Sequence, residues 1–165
     1  MRRKASPKRT FGAERQVKLY NANAEQWLPP GSFDLVYSFG VLHHTPNPAA
    51  ALRNIRERLA PDGELRLMLY ARWSFKFLLG EQPEAQAGCP IAKLYTKRTA
   101  QDLLRAAGFE VISVEKTHIF PWRVADYVNH RYVKRWCWRL VPYKLFSLLE
   151  KVAGHHLLIV ARRKR

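Results

Sequence analysis

Phe33-Asp-Leu-Val-Tyr-Ser-Phe-Gly-Val-Leu-His-His-Thr-Pro-Asn-Pro48 is the stretch that sets the architecture. Phe33 to Phe39 is rich in aromatic and aliphatic residues and lies between Gly31 and Gly40, which predicts a buried strand. Asn47 carries a side-chain oxygen able to cap a helix. Pro48 suits the first turn, where its missing N–H has no partner to lose. Beyond it, Ala51, Leu52, Ile55 and Leu59 fall on one stripe, while Arg53, Arg56, Glu57 and Arg58 favour water. A strand followed by a loop and an amphipathic helix opens an α/β unit.

Working upstream, residues 1–15 read as a disordered basic lead-in. Val17-Lys18-Leu19-Tyr20 is a short candidate strand, and residues 21–31 form a polar loop. Downstream, Pro61-Asp62-Gly63 is turn chemistry. Leu65, Leu67 and Leu69 alternate with Arg66, Met68 and Tyr70, the pattern of a second strand. Trp73 to Leu79 reads as a short helix and residues 82–90 as a loop. Thr96 caps a helix over Lys97 to Ala107, with Ala100, Leu103, Leu104 and Ala107 inward and Gly108 as its left-handed stop. Glu110 to Ile119 is a third strand. Residues 124–152 are helical in two pieces broken near Pro142. Leu157-Leu-Ile-Val160 is a central strand buried on both faces. The expectation is an α/β sheet with four strands, flanked by the helices from Pro48 and Lys97, within one domain over residues 16–165.

The 165 residues, 47% apolar and 25% charged, are globular in composition. No apolar run reaches the roughly 18 residues of a membrane span, and the basic N-terminus has no secretory apolar stretch behind it. Cys89 and Cys137 are the two cysteines, which predicts a reducing compartment and a cytoplasmic location. The net charge of +16 implies acidic partners: nucleic acid, an anionic membrane surface or an acidic protein. Nucleic acid finds no groove-reading motif to support it. From Pro121 to Lys151, Trp122, Tyr127, Tyr132, Trp136, Trp138, Tyr143 and Phe146 stand among Arg and Lys. Such a stretch lies on an anionic membrane or covers the sheet while its basic heads reach water. There is no C-x-x-C, no H-x-x-x-H and no G-x-S-x-G, so neither a metal site nor a hydrolase nucleophile is expected.

The run from Phe33 to Pro48, followed by Leu52-Arg-Asn-Ile-Arg-Glu-Arg-Leu-Ala-Pro-Asp-Gly-Glu-Leu65, resembles the middle of class I S-adenosylmethionine-dependent methyltransferases. It is most similar to the subgroup of ubiquinone-biosynthesis and sterol C-methyltransferases. Asn23-Ala24-Glu25 with Leu28-Pro29 resembles that family's adenine-contacting loop, with Asn23 where Asp is common. Gly88-Cys-Pro-Ile-Ala-Lys-Leu-Tyr-Thr96 and Tyr132-Val-Lys-Arg-Trp136 look like a bacterial subfamily of unassigned substrate. The resemblance spans residues 16–163.

It implies a Rossmann-like sheet with S-adenosyl-L-methionine as cofactor. It places Asn23, Ala24 and Glu25 at the adenine, and Ser38, Phe39, Gly40 and Val41 beside the methionine moiety. His43 or His44 falls in the acceptor pocket as base or donor, and Tyr70, Trp73 and Tyr95 line that pocket. The Leu157–Val160 strand is implied to run antiparallel between the strands at Leu65 and Val111. The family's first two strands, which carry a glycine-rich loop and a ribose-binding acid, have no counterpart. No Gly-x-Gly occurs in the chain, and no acidic residue ends a strand before position 20. The expectation is a truncated sheet with Phe33–Phe39 as an open edge, inviting a second chain or a homodimer. Three readings follow: a methyltransferase completed by another chain, a non-catalytic interaction domain using the open edge, or a basic nucleic-acid- or membrane-binding module.

Overall fold

The computed structural model describes residues 18–75, 93–127 and 129–164. The expected lead-in, the helix beyond Phe75, the loop at 82–90 and Cys89 lie outside them. Five strands form one sheet: β1 (Phe33–Phe39), β2 (Leu59–Ala71), β3 (Leu94–Tyr95), β4 (Phe109–Thr117) and β5 (His156–Arg163). The order is β1-β2-β5-β4, with the two-residue β3 added beside β2. β1 and β3 run parallel to β2, whereas β5 is antiparallel to both β2 and β4. The strand at Leu157 therefore sits where the resemblance placed it.

Local sequence explains the helices. In α1 (Pro48–Arg58) the Asn47 side chain accepts from the Ala50 N–H and Pro48 takes the first turn. In α2 (Lys97–Ala106) Thr96 and Thr99 cap each other reciprocally, Thr99 standing where a capping box usually has Glu. Gly108 follows with φ 81°. Residues 124–152 divide into three pieces rather than two: α3 (Val124–Tyr127), α4 (Trp136–Arg139) and α5 (Tyr143–Ala153). Trp122 bridges to Lys134 as an antiparallel pair, and Pro142 precedes α5, so the extra interruption falls between α3 and α4.

One face of the sheet is finished. Leu65, Leu67, Leu69 and Ala71 of β2 and Leu157, Ile159 and Ala161 of β5 are buried against Ala51, Leu52, Ile55, Ala100 and Leu104 from α1 and α2. Among the described residues the opposite face is left open. Leu35, Tyr37 and Phe39 are exposed, and Met68, Tyr70, Leu158 and Val160 are only partly covered. α5 lies along β4. The described residues thus cover one face, against the usual two-sided cover of α/β folds.

Several expectations are corrected by this one-sidedness. β1 is the edge strand that the resemblance implied, but its residues are largely exposed rather than buried. Lys18, Leu19 and Tyr20 form no strand, and Leu19 is 88% exposed. With no neighbour to pair among the described residues, the backbone gains nothing from extending there. β5 alternates buried and half-buried residues, so it is not buried on both faces. Pro61-Asp62-Gly63 does not separate the helix from the strand, since β2 already begins at Leu59. The β1–β2 register jumps between Phe33↔Leu59 and Leu35↔Glu64, so the turn is absorbed as a bulge inside β2. A Cβ on Gly63 would lie 2.9 Å from the Phe33 carbonyl oxygen, which is why the bulge needs glycine.

Candidate active site

The loop at Asn23-Ala24-Glu25 is built and tethered. The Asn23 Oδ1 accepts from the Glu25 N–H at 2.9 Å, and its backbone oxygen accepts from Gln26 and Trp27. Asn54 of α1 donates to the Ala24 carbonyl at 2.9 Å. The Glu25 Oε1 accepts from the Asn47 N–H at 2.9 Å. Glu25 thus braces the N-terminus of α1, where a carboxylate is favoured by the helix dipole. The three residues sit together against α1.

At the carboxyl end of β1, Ser38 is half-buried while Phe39 and Val41 are exposed. Gly40 has φ 73°, a left-handed turn that steers the chain into the 3-10 turn Leu42–His44. A Cβ there would meet Met68 Cε only at 3.7 Å, so backbone conformation, not crowding, accounts for this glycine. In open α/β sheets, ligands bind outside these carboxyl ends.

A column of rings fills the same end of the sheet. His43 is fully buried and lies 4.1 Å from His44 and 3.8 Å from Tyr70, ring centre to ring centre. Tyr70 continues to His155 at 4.4 Å and to His156 at 5.9 Å, and His156 stacks on His118 at 4.5 Å with the planes 6° apart. Ser74, also fully buried, is 3.3 Å from His155 Nδ1. Neither ring nitrogen of His43 has a hydrogen-bond partner. Burial, reinforced by His44 and His156, holds its pKa down to about 4, opposed by the nearby Met68 backbone, which does not reach hydrogen-bond geometry. Burial and His118 hold His156 at about 4 as well. Both rings are neutral at pH 7.

Trp73 and Tyr95 do not join Tyr70. They line a separate cavity of about 190 Å³ with Lys97, Lys116 and Lys151. The Lys116 ammonium donates to the Trp73 carbonyl and, at 2.8 Å, to the Val152 carbonyl. Burial, with Lys97 nearby, lowers its pKa, and burial raises that of Tyr95. The three expected acceptor-lining aromatics therefore split between two places. His118, His155 and His156 were not foreseen as part of the site, because only the register Thr117↔His156↔Tyr70 brings them to it. Among the described residues no group of His, Cys, Asp and Glu is arranged to hold a metal ion.

Comparison with known proteins identifies related folds. A family model described as a methyltransferase domain matches residues 3–114. A highly reducing polyketide synthase of Pyrenophora dematioidea is 31% identical over 111 residues, covering 61% of this chain and 4% of the synthase. A SAM-dependent methyltransferase from Thermotoga maritima superposes with a TM-score of 0.57 at 20% identity, over 87% of this chain and 62% of its own. The 1,6-didemethyltoxoflavin-N1-methyltransferase of Burkholderia thailandensis, with bound 1,6-didemethyltoxoflavin and S-adenosylhomocysteine, gives 0.51 at 18% identity. The alignment covers 87% of this chain and 49% of that enzyme, so the chain spans about half its length. At such identities the structural likeness speaks for the fold.

Proposed function

The chain belongs to the methyltransferase-domain family, and from that premise we propose that it supplies one half of an S-adenosylmethionine-dependent active site, completed by a further polypeptide segment docking on β1. The observation that carries this reading is the one-sided sheet. Among the described residues β1 is an open edge with Leu35, Tyr37 and Phe39 exposed beside it, and no Gly-x-Gly occurs among the 165 residues. A cofactor held against the carboxyl end of β1 needs a second wall.

The chemistry asked of the completed site is an in-line displacement. The methyl carbon forms a bond to the acceptor nucleophile as its bond to the sulfonium sulfur breaks, and S-adenosylhomocysteine leaves. Positioning and exclusion of water supply most of the catalysis. This chain's residues contribute in separable ways. The Asn23–Glu25 loop is held ready by Asn54 and Asn47. His43 and His156 in the ring column are neutral and do not repel a cationic sulfonium. His43, with a pKa of about 4, is a poor base at neutral pH and serves as wall rather than proton acceptor. His44 is half-buried beside it.

Calorimetric titration of the 165-residue chain with S-adenosylmethionine tests the reading. Alone, the chain is expected to give no saturation in the micromolar range. Micromolar binding by the isolated chain would overturn the need for a completing segment.

A further inference from the structure

The outer surface of α4 and α5 has a composition that its fold does not use. Trp138 is the inward anchor of α4, buried against Phe75 at 5.0 Å and Phe146 of α5 at 5.4 Å. Trp136, two positions away and so about 200° around the helix, points outward. Leu140 is one turn beyond it. No residue of α5 is buried, and Leu145, Leu148 and Val152 recur on its outer stripe at helical spacing. Trp136, Leu140, Tyr143, Leu148 and Val152 are between 57% and 84% exposed.

Cations lie along the same segment. Among the described residues, none of Lys134, Arg135, Arg139, Lys144 and Lys151 pairs with a carboxylate. Lys134, Arg135, Trp136 and Arg139, with Arg123, also line an open depression of about 430 Å³. Glu150 is the lone acid from Arg131 to Val152.

We infer that this surface docks the chain onto an anionic phospholipid bilayer. Two kinds of group are needed at such a boundary: apolar side chains that enter the acyl region and cations that meet phosphate and carboxylate headgroups. Both are present on the same short segment. Trp136 and Tyr143 suit the interface itself, with an apolar ring and a polar tip. A second copy of the chain is a poor occupant, because two such faces would bring like charges together on a chain of net charge +16. Nucleic acid would use the cations and the aromatic rings, but exposed Leu140, Leu148 and Val152 add nothing to phosphate or base recognition.

Cosedimentation of the 165-residue chain with vesicles tests the inference. Phosphatidylcholine vesicles with about 30 mol% phosphatidylserine should bind the chain, pure phosphatidylcholine should not, and binding should weaken as salt rises. A Trp136→Ser/Leu148→Ser variant changes only exposed positions. With an unchanged circular dichroism spectrum, it should bind about tenfold or more weakly. An Arg135→Gln/Arg139→Gln variant should also weaken binding about tenfold or more. The inference is overturned by equal binding to neutral and anionic vesicles, or by no loss in the serine variant. Tight binding of a single-stranded oligonucleotide, with no vesicle binding, would assign the surface to nucleic acid instead.

Discussion

Replacing His43 by phenylalanine removes a titrating group from the centre of the ring column while keeping an aromatic ring against Tyr70, 3.8 Å away in the native protein. Protonating His43 in the folded chain is unfavourable, chiefly through burial and then through His44 and His156, which together bring its pKa to about 4 from an ordinary 6.5. The unfolded chain takes up that proton near pH 6.5 and the folded chain only near pH 4. Between those values the unfolded state binds more protons, so the stabilisation is fully present above 6.5 and drains as pH falls toward 4. At about 1.4 kcal/mol per pH unit, the full difference is on the order of 3 kcal/mol. Urea unfolding followed by circular dichroism, from about pH 7.5 to about pH 4.5, should show wild type losing roughly 2–3 kcal/mol more than His43→Phe. Comparing the two cancels the general destabilisation of a basic chain gaining charge. At neutral pH the variant should be at least as stable, since two buried nitrogens without partners disappear. Parallel pH profiles, or a variant weakened at neutral pH by more than about 2 kcal/mol, would refute the reasoning.

Two substitutions test the finished side of the sheet. Leu104→Ala removes a fully buried side chain from the α2 layer and should lower unfolding free energy by about 3–4 kcal/mol in the same urea assay. Gly154→Ala would set a Cβ 2.3 Å from the Thr117 carbonyl oxygen and 2.4 Å from that of Glu150. Backbone must shift to admit it, so a loss of at least about 2 kcal/mol is expected, with a matching fall in thermal midpoint.

What could be read from the sequence was what neighbouring residues decide among themselves. Asn47-Pro48 and Thr96 start helices through hydrogen bonds within their own first turn, and both helices begin where those residues predict. Leu65, Leu67 and Leu69 alternate because one face of β2 is buried, and they are buried. The antiparallel placement of β5 was legible only through family resemblance, since Leu157–Val160 carries no sign of direction. Failures came where a segment depends on a distant neighbour. Phe33–Phe39 reads as interior because its composition suits burial, yet the surface it would pack against is not supplied by the described chain. Residues 18–20 failed for the same reason. Pro61-Asp62-Gly63 is a turn locally, but pairing with β1 at Leu59 before it and from Glu64 after it carries β2 through. The candidate site was half legible. Its loop and its paired histidines stood in sequence order, whereas His118, His155 and His156 reach Tyr70 only through strand register.

Amide hydrogen exchange along β1, measured residue by residue in the full chain, tests most directly whether the sheet stops there. In a strand paired on one side, alternate residues direct both N–H and C=O away from the ladder. About half of the amides from Phe33 to Phe39 should therefore exchange near the rate of an unstructured peptide. Those of β5, paired on both sides, should be protected throughout. Uniform protection across β1 would mean that its outer edge is already occupied, and the half-site account would be contradicted.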